Sequence, residues 1–215
     1  MRGPSNTASA RALQSIYRRL YAAFGPQRWW PGDTPLEVAV GAILTQNTAW
    51  ANVEKAMAVL KSRRLLSLET LARLSPAELA PLIHSAGFRN VKAARLAAFL
   101  NWLQTREGFA ALTRTPTPDL RTQLLACHGV GPETADSILL YAMGRPVFVV
   151  DAYTRRILSR YGLIAGDEPY EYLRRMFESS LPCHPKLYNE YHALLVRLAK
   201  VNCRSRPLCD SCPLA

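Results

Sequence analysis

Helical periodicity runs through almost all of this 215-residue sequence and restricts its fold more than any other feature. Between residues 13 and 24, apolar side chains recur every three or four positions, as on one face of an amphipathic helix. Further helical segments follow at 36–44, which is nearly all apolar and is predicted to be a buried core helix, and at 51–60, 91–103, 120–126, 132–143, 152–160, 170–180 and 186–200. Ser67 and Ser75 are the predicted N-caps of two short helices, and Glu78 completes a capping-box pattern with Ser75. The single strand-like run is 147–150, which is too short to form a sheet of its own. The sequence therefore predicts an all-α fold.

The composition is that of a globular protein with a strong positive charge. Apolar residues make up 49% and charged residues 20% of the chain, which argues against a disordered protein. No run of about 18 apolar residues predicts a membrane span, and the first residues contain no apolar signal segment, so we expect a cytoplasmic protein. With 27 Lys and Arg against 16 Asp and Glu, the net charge of +11 favours a polyanionic partner.

A glycine-containing turn between two predicted helices is the first candidate binding motif. Residues 124–136 have the sequence LLACHGVGPETAD. Gly129 and Gly131 permit a tight turn, and Pro132 suits the first turn of the next helix. The N–H groups and the positive dipole end of that helix favour a phosphate. An ordinary linker between helices is the alternative interpretation of the same residues.

Together with further motifs, this turn resembles the helix-hairpin-helix (HhH-GPD) DNA glycosylases of the endonuclease III superfamily. Asp151 follows Gly131 by 20 residues within the segment VVDAYTRR, and a cysteine-rich tail comes later. The segments ILTQNT at 43–48 and AGFRNVKA at 86–93 are similar to two loops with which this family enters DNA. The resemblance extends over residues 34–212.

The resemblance implies a two-lobed, all-α fold and a DNA substrate. Residues 34–145 are expected to form a helical barrel domain that contains the hairpin. Residues 1–33 and 146–215 are expected to form a second helical domain that holds an iron–sulfur cluster, with the substrate pocket between the two. The implied partner is double-stranded DNA that contains damaged bases or abasic sites. We expect a monomer, associated with the nucleoid if the organism is a prokaryote.

Enzymes of this kind extrude a nucleotide from the base stack and fill the gap that it leaves. Gln46 and Asn47 are predicted to fill this gap on one side, and Phe88 is predicted to act as an apolar wedge on the other. A polar helix end is the alternative for the two amides, and core packing is the alternative for Phe88. The other predicted DNA contacts lie next to Phe88 and in the hairpin: Arg89, His128, Gly129, Val130, Gly131 and Thr134.

Asp151 and Glu133 are the candidate catalytic residues. Cleavage of the base–sugar bond builds positive charge on the sugar, which a nearby carboxylate stabilises. By resemblance Asp151 has this role, although it also suits an N-cap for the helix that follows. Family members that also cut the backbone use a Lys after the hairpin as an amine nucleophile. Glu133 occupies that position and cannot form an imine, so we predict a subgroup without lyase activity. Glu133 is also a candidate second catalytic carboxylate, with stabilisation of the helix dipole as the alternative.

Three tryptophans flank the predicted pocket helix: Trp29, Trp30 and Trp50. Packing within the core is one interpretation of this placement. The other is that at least one indole ring stacks on the extruded base. Because a π face attracts cationic groups, alkylated purines are candidate substrates beside oxidised pyrimidines.

The cysteine-rich tail predicts a metal or cluster site. Cys203, Cys209 and Cys212 are separated by five and then two residues, and such clustered cysteines bind zinc or iron–sulfur clusters. In the resembled family a four-cysteine tail holds a [4Fe–4S] cluster, and here no fourth cysteine follows before Ala215. Cys183 is a candidate fourth ligand, although a predicted helix about 20 Å long separates it from the tail. A different fourth ligand, a degraded cluster and free thiols are the alternatives.

Three functions agree with these features. The favoured one is a base-excision-repair DNA glycosylase that excises an oxidised pyrimidine or an alkylated purine and lacks lyase activity. The second is a catalytically inactive DNA-binding protein that recognises lesions. The third is a small structural protein stabilised by zinc.

Overall fold

Two compact units make up the structure, a computed structural model that describes residues 6–27, 29 and 32–215. The first unit contains the described residues up to position 29 together with residues 146–215. The second unit contains the described residues from 32 to 145. The chain thus begins in the first unit, forms the second from one continuous stretch and then returns.

Helices account for the regular secondary structure of the described residues, and the predicted all-α class is confirmed. In chain order they are α1 (Asn6–Phe24), α2 (Pro35–Leu44), α3 (Trp50–Ser62), α4 (Leu68–Ala72), α5 (Pro76–Leu82), α6 (Arg89–Gln104), α7 (Phe109–Leu112), α8 (Thr117–Leu125), α9 (Pro132–Ser137), α10 (Ala152–Arg160), α11 (Tyr170–Ser180) and α12 (Pro185–Val201). A 3₁₀ helix at His84–Ala86 precedes α6, and a π-helix at Ile138–Ala142 continues α9. Within the described ranges, no helix has the length and apolar character that a membrane span requires.

Local sequence signals determine where several helices begin. The Ser75 hydroxyl accepts a hydrogen bond from the backbone N–H of Glu78, and the Glu78 carboxylate accepts one from the backbone N–H of Ser75. This reciprocal pair is the capping box that the sequence predicts. Ser67, the other predicted cap, accepts a hydrogen bond from the N–H of Thr70 at 3.1 Å. Both predicted helix starts are therefore confirmed.

Helix α2 is a central element of the second unit. It packs against α3, α6, α9 and the π-helix. Its buried residues are Leu36, Glu37, Val38, Ala39, Val40, Gly41, Ile43 and Leu44. The nearly continuous apolar sequence thus corresponds to a core helix, as predicted. Because α2 ends at Leu44, this core fixes the starting point of the turn that contains Gln46 and Asn47.

The extended run 147–150 is a buried segment of the first unit and does not pair as a strand. Phe148 stacks on Phe177 of α11, with ring centroids 3.8 Å apart. The backbone N–H groups of Phe148 and of the last residue of the run donate to the Glu178 carboxylate (3.0 Å) and to the Tyr170 hydroxyl (3.4 Å). Side chains thus satisfy backbone groups that would otherwise need a sheet partner. The run therefore holds the residue that follows it, at the start of α10, in a defined place.

Candidate active site

The Asp151 side chain caps α10, as its local sequence predicts. Its Oδ1 accepts hydrogen bonds from the backbone N–H of Thr154 at 2.7 Å and from the Thr154 hydroxyl at 2.8 Å. Its Oδ2 lies 3.6 Å from Nε2 of His192 on α12. The side chain of Asp151 is 14% exposed. Both carboxylate oxygens therefore have defined neighbours, while part of the group remains open to solvent.

Opposing effects set the charge of Asp151. Burial raises the pKa of its carboxyl group, because the charged form loses solvation. Attraction to His192 and the hydrogen bonds from Thr154 outweigh burial, so the pKa of Asp151 is lowered from its ordinary value. The positive end of the α10 dipole favours the charged form as well. Asp151 is therefore a carboxylate at neutral pH, the state in which it stabilises positive charge.

His192 is the functional candidate that the sequence analysis missed. It is 4% exposed, and its imidazole stacks with the indole of Trp29 at a centroid distance of 5.7 Å. Trp29, predicted as a pocket residue, therefore belongs to the same cluster as Asp151. In the sequence, His192 lies at helical spacing from Tyr188 and Leu195, which is typical of a core position. The available signal was a titratable side chain on an otherwise apolar helix face.

The hairpin between α8 and α9 is a tight turn that requires glycine. Gly129 has a φ of +80°, and a Cβ added there would lie 2.1 Å from Cγ of Arg95. The backbone N–H of Val130, which is itself buried, donates to the carbonyl of Cys127 at 3.0 Å and closes the turn. His128 is exposed at the outside of this turn. Residues 128–131, the predicted DNA contact segment, thus form a closed turn with His128 on its outer side.

The acidic residues of α9 differ in their surroundings. Glu133 is exposed in the first turn, two residues after Gly131, which is the N-cap. Asp136 is fully buried and pairs with Arg121 through two contacts, Oδ1 to Nε at 2.6 Å and Oδ2 to Nη2 at 3.0 Å. Such a two-point pair fixes α9 against α8. Of these two carboxylates, Glu133 is the one that a ligand outside the fold can reach.

Gln46 connects three segments of the second unit. Its Nε2 donates to the carbonyl of Gly129 at 3.0 Å and to the hydroxyl of the buried Thr134 at 2.9 Å. Its Oε1 accepts a short hydrogen bond from Arg95 of α6. The amide therefore joins the end of α2 to the hairpin and to α6. These contacts agree with the alternative interpretation, a polar helix end with satisfied amides. A role of Gln46 in filling the gap in DNA stays a prediction.

Asn47 and Phe88 lie at the tips of two turns. Both have a positive φ, +52° for Asn47 and +45° for Phe88. Asn47 is exposed, and 71% of Phe88 is exposed. Phe88 is therefore no core residue, and the core alternative for it is wrong. Arg89, the predicted contact beside it, places Nη1 3.0 Å from Nδ1 of His84.

Trp50, another predicted pocket tryptophan, packs within the second unit. Trp50 donates from Nε1 to the carboxylate of Glu54 at 3.0 Å. Its ring covers Gly41 of α2, where an added Cβ would lie 3.3 Å from Cη2 of the indole. These contacts are those of a packing residue. Trp30 lies outside the described residues.

The cysteines are not arranged as metal ligands. None of the five cysteines forms a disulfide; Cys203 is buried, Cys212 is half-buried, and Cys209 and Cys183 are exposed. No group of three or more His, Cys, Asp or Glu side chains converges as a metal would require, as far as the described ranges extend. The residues predicted to hold an iron–sulfur cluster are thus not brought together, and in this arrangement they do not fit one.

Side chains of the first unit hold the backbone of the tail in place. Arg160 of α10 donates to the carbonyl of Ser205 at 3.0 Å and approaches Sγ of Cys203 at 3.5 Å. The buried Asn202 donates to the carbonyl of Ser211 at 3.1 Å. The tail therefore takes its conformation from hydrogen bonds to protein groups.

Comparison with known proteins identifies the class that this fold and site define. Residues 40–183 match the HhH-GPD superfamily of base excision DNA repair proteins. A protein of Methanocaldococcus jannaschii, provisionally named a DNA repair glycosylase, is 46% identical over 94% of this chain and 93% of its own length. Endonuclease III of Thermotoga maritima is 28% identical over 83% of this chain and 79% of its own length.

Two solved structures are similar in fold. The H. pylori 3-methyladenine DNA glycosylase, bound to 1,N6-ethenoadenine, is 29% identical with a TM-score of 0.74, covering 92% of this chain and 98% of that one. An endonuclease III–DNA complex has a TM-score of 0.80 at 20% identity, covering 95% and 92% of the two chains, and shows the shared fold alone. The chain belongs to the HhH-GPD superfamily of base excision DNA repair proteins. The predicted family and the prediction of a DNA glycosylase-type enzyme are thereby confirmed.

Proposed function

We propose that this protein is a DNA glycosylase that hydrolyses the bond between a damaged base and its deoxyribose in double-stranded DNA. The observation that carries this proposal is the ionised, largely buried carboxylate of Asp151 beside His192 and Trp29. A carboxylate of lowered pKa in a partly dry site stabilises a developing cation far better than one in bulk water. The stacked indole supplies an aromatic surface next to it.

The proposed reaction needs only water as its second reactant. As the base departs with the electron pair of the bond to C1′, positive charge develops on the sugar, and Asp151 stabilises it. Water then adds its oxygen to C1′ and loses a proton, which passes to a base that departs as an anion or to solvent when a cationic base departs neutral. The products are a free base and an abasic site. Asp151 orients this water in the proposal, and Glu133 stays a candidate second carboxylate.

The absence of strand cleavage is the second part of the proposal. Glu133 in the first turn of α9 cannot attack a sugar carbon to form an imine, because a carboxylate lacks the required amine. The hairpin segment 124–136 contains no Lys at all. We therefore expect nicks only after alkali treatment. Borohydride is expected to trap no covalent protein–DNA adduct, and an adduct formed at the rate of base release would refute this part.

Alkylated purines are the lesion class that we propose first. The support is the 29% identity to a 3-methyladenine DNA glycosylase over almost its entire length, together with the indole of Trp29 in the Asp151 cluster. A cationic alkylated base gains from a π face and leaves without prior protonation. Oxidised pyrimidines are the second candidate, supported by the 28% identity to an endonuclease III.

The proposed partner is duplex DNA, bound by a monomer in the cytoplasm. The net charge of +11, the exposed hairpin residue His128, and the exposed tips Asn47 and Phe88 with Arg89 support this proposal. Charge neutralisation of phosphates makes binding salt-dependent, so affinity is expected to fall steeply as salt rises.

The iron–sulfur cluster stays a prediction from the resemblance. Because Cys203, Cys209 and Cys212 do not converge in the described structure, no step of the proposed reaction passes through a metal. Determination of iron and acid-labile sulfide in the purified protein tests the prediction. Equal amounts of both would support a cluster, whereas zinc without sulfide would favour the structural alternative.

A panel of lesion duplexes tests the proposed function. Duplexes with 3-methyladenine, 1,N6-ethenoadenine or an oxidised pyrimidine are each incubated with excess protein, and half of every sample is treated with alkali. We expect alkali-dependent nicks, fastest with an alkylated purine. Tight binding to a lesion without nicks on any duplex would favour the inactive lesion-binding protein instead.

A further inference from the structure

Lys92 is a buried lysine that joins the two turns described above. Only 2% of it is exposed, and its Nζ donates to the carbonyl of Leu44 at 2.8 Å and to the carbonyl of Ala86 at 2.7 Å. Leu44 is the last residue of α2, and Ala86 is the last residue of the 3₁₀ helix. Each carbonyl therefore stands two or three residues before a tip, Asn47 on one side and Phe88 on the other.

A lysine at this position is costly, which calls for an explanation. Burial lowers the pKa of Lys92, and the nearby charge of Arg95 lowers it further. Lysine is almost never fully buried, because removing an ammonium group from water requires strong compensation. An apolar side chain of similar volume would fill the same space without this cost. What an apolar side chain cannot do is bind two main-chain carbonyls at once.

The conformation of the two tips is consistent with such a restraint. Phe88 adopts the left-handed backbone region, which costs a bulky side chain about 1 kcal/mol or more. Asn47 also has a positive φ, which asparagine tolerates better than most residues. Strained residues persist where the surroundings over-determine them. Lys92 restrains the segments just before both tips, and Gln46 restrains the first of them again through Gly129 and Thr134.

We propose that Lys92 is a positioning residue that fixes the two tips relative to each other, so that Asn47 and Phe88 enter the DNA duplex as one preformed unit. This inference rests on the proposed function, since it assigns the tips to base extrusion. A preformed unit avoids the entropy loss of ordering two separate turns on binding. Lys92 therefore acts on the extrusion of the base, and the bond-breaking step at Asp151 does not depend on it.

The test compares Lys92→Met with Lys55→Met. Lys55 is exposed on α3 in the same unit, so this control removes the same charge without a buried contact. Single-turnover base release is measured for one lesion in two duplexes, one with a normal base opposite and one with an abasic analogue opposite. Extrusion costs less in the second duplex because no base pair is broken.

For Lys92→Met we expect base release to slow about tenfold or more in the paired duplex, the size of effect that a small misplacement produces. In the duplex with the abasic analogue, the rate should stay within about threefold of the wild type. Lys55→Met should stay within about twofold in both duplexes, because it alters only exposed charge. An equal loss in both duplexes, with a lowered Tm, would make Lys92 merely structural and overturn the proposal. Unchanged rates would overturn it as well.

Two further measurements keep the inference testable. If Lys92→Met does not fold, Lys92→Gln, which retains a hydrogen-bond donor, takes its place in the same comparison. In the wild type itself, amide hydrogen exchange of residues 45–48 and 86–89 should be slow without DNA, and exchange at unprotected rates would refute a preformed unit.

Where the wild type releases no base from any duplex, the proposed function fails, and 2-aminopurine fluorescence then reports extrusion by the wild type and by Lys92→Met. Equal fluorescence for the two would overturn the positioning role.

Discussion

The N-terminus of α10 and the cysteine tail lie in the same unit, and both were predicted by resemblance to carry chemistry, yet their organisation differs. At α10, Thr154 and His192 surround the carboxylate of Asp151 and keep it charged. In the tail, the thiols do not converge, and Arg160 and Asn202 hold the backbone instead. Protein groups hold the Asp151 carboxylate in place, whereas the tail thiols lie apart within a hydrogen-bonded loop.

The difference shows how much a motif specifies. An N-cap needs one side chain and the helix that follows it, so the sequence around Asp151 determines most of its geometry. An iron–sulfur cluster needs several ligands to converge at one point. The spacing of cysteines in the sequence permits this convergence but does not determine it. We propose that base release depends on Asp151 at the start of α10 and on His192 of α12, and that the tail contributes stability.

Asp151→Asn should produce the largest effect. Asparagine is also a good N-cap and keeps the shape of the side chain, so the fold should persist while the negative charge is lost. We expect single-turnover base release to fall by about 10²–10³-fold, as when an electrostatic stabiliser is removed. Asp167→Asn, which removes an exposed acid after α10, is the matched control and should stay within about twofold. A rate for Asp151→Asn close to that of the control would contradict the assignment.

His192→Gln should have an intermediate effect that depends on pH. In the wild type, Asp151 has a lowered pKa, so the stability that its charge contributes is present above the pKa of the unfolded chain and is lost as pH falls through the lower folded value. Without His192 the pKa of Asp151 rises, and the acid limb of the pH–rate profile should move to higher pH. We expect base release at neutral pH to fall about tenfold, or about 1.4 kcal/mol.

His184→Gln serves as the control for this substitution, because His184 is exposed at the start of α12. Its pH–rate profile should coincide with that of the wild type. An unchanged acid limb in His192→Gln would mean that His192 does not act on the Asp151 carboxylate, even where the rate falls.

Arg160→Met should have the smallest effect, and on stability alone. Loss of its hydrogen bonds to tail carbonyls should lower the free energy of unfolding by about 1 kcal/mol, measured by urea denaturation. Base release should stay within about twofold. Arg175→Met, an exposed site on α11, is the reference substitution. A loss of base release comparable to that of Asp151→Asn would show that the tail contributes to the reaction and not to stability alone.

The parts of the fold that could be predicted from the sequence are those that interactions between nearby residues determine. The capping box at Ser75 and the cap at Asp151 depend on residues three positions apart, and both form as predicted. The nearly continuous apolar run 36–44 was enough to predict the core helix α2. Phe88 is exposed, and its role as a wedge in DNA stays a prediction.

Contacts between residues far apart in the sequence could not be predicted, because local patterns do not state which distant segments meet. Gln46 has partners 83 and 88 residues away, so its use as an internal tie was invisible in the sequence. His192 was hidden by a helix face that predicts only burial. A lysine is expected at the surface. Only the three-dimensional structure, in which the ends of two helices meet at Nζ of Lys92, shows that it is a buried donor.

Direct detection of the free base tests whether the protein hydrolyses the bond between base and sugar through Asp151. Wild-type protein and Asp151→Asn are each mixed in excess with a duplex containing an alkylated purine, and the released base and the strand length are followed together. We expect stoichiometric base release by the wild type with the strand intact until alkali is added, and tight lesion binding without release by Asp151→Asn. A wild type that binds the lesion and leaves the base attached, or that cuts the strand without alkali, would contradict the proposed function.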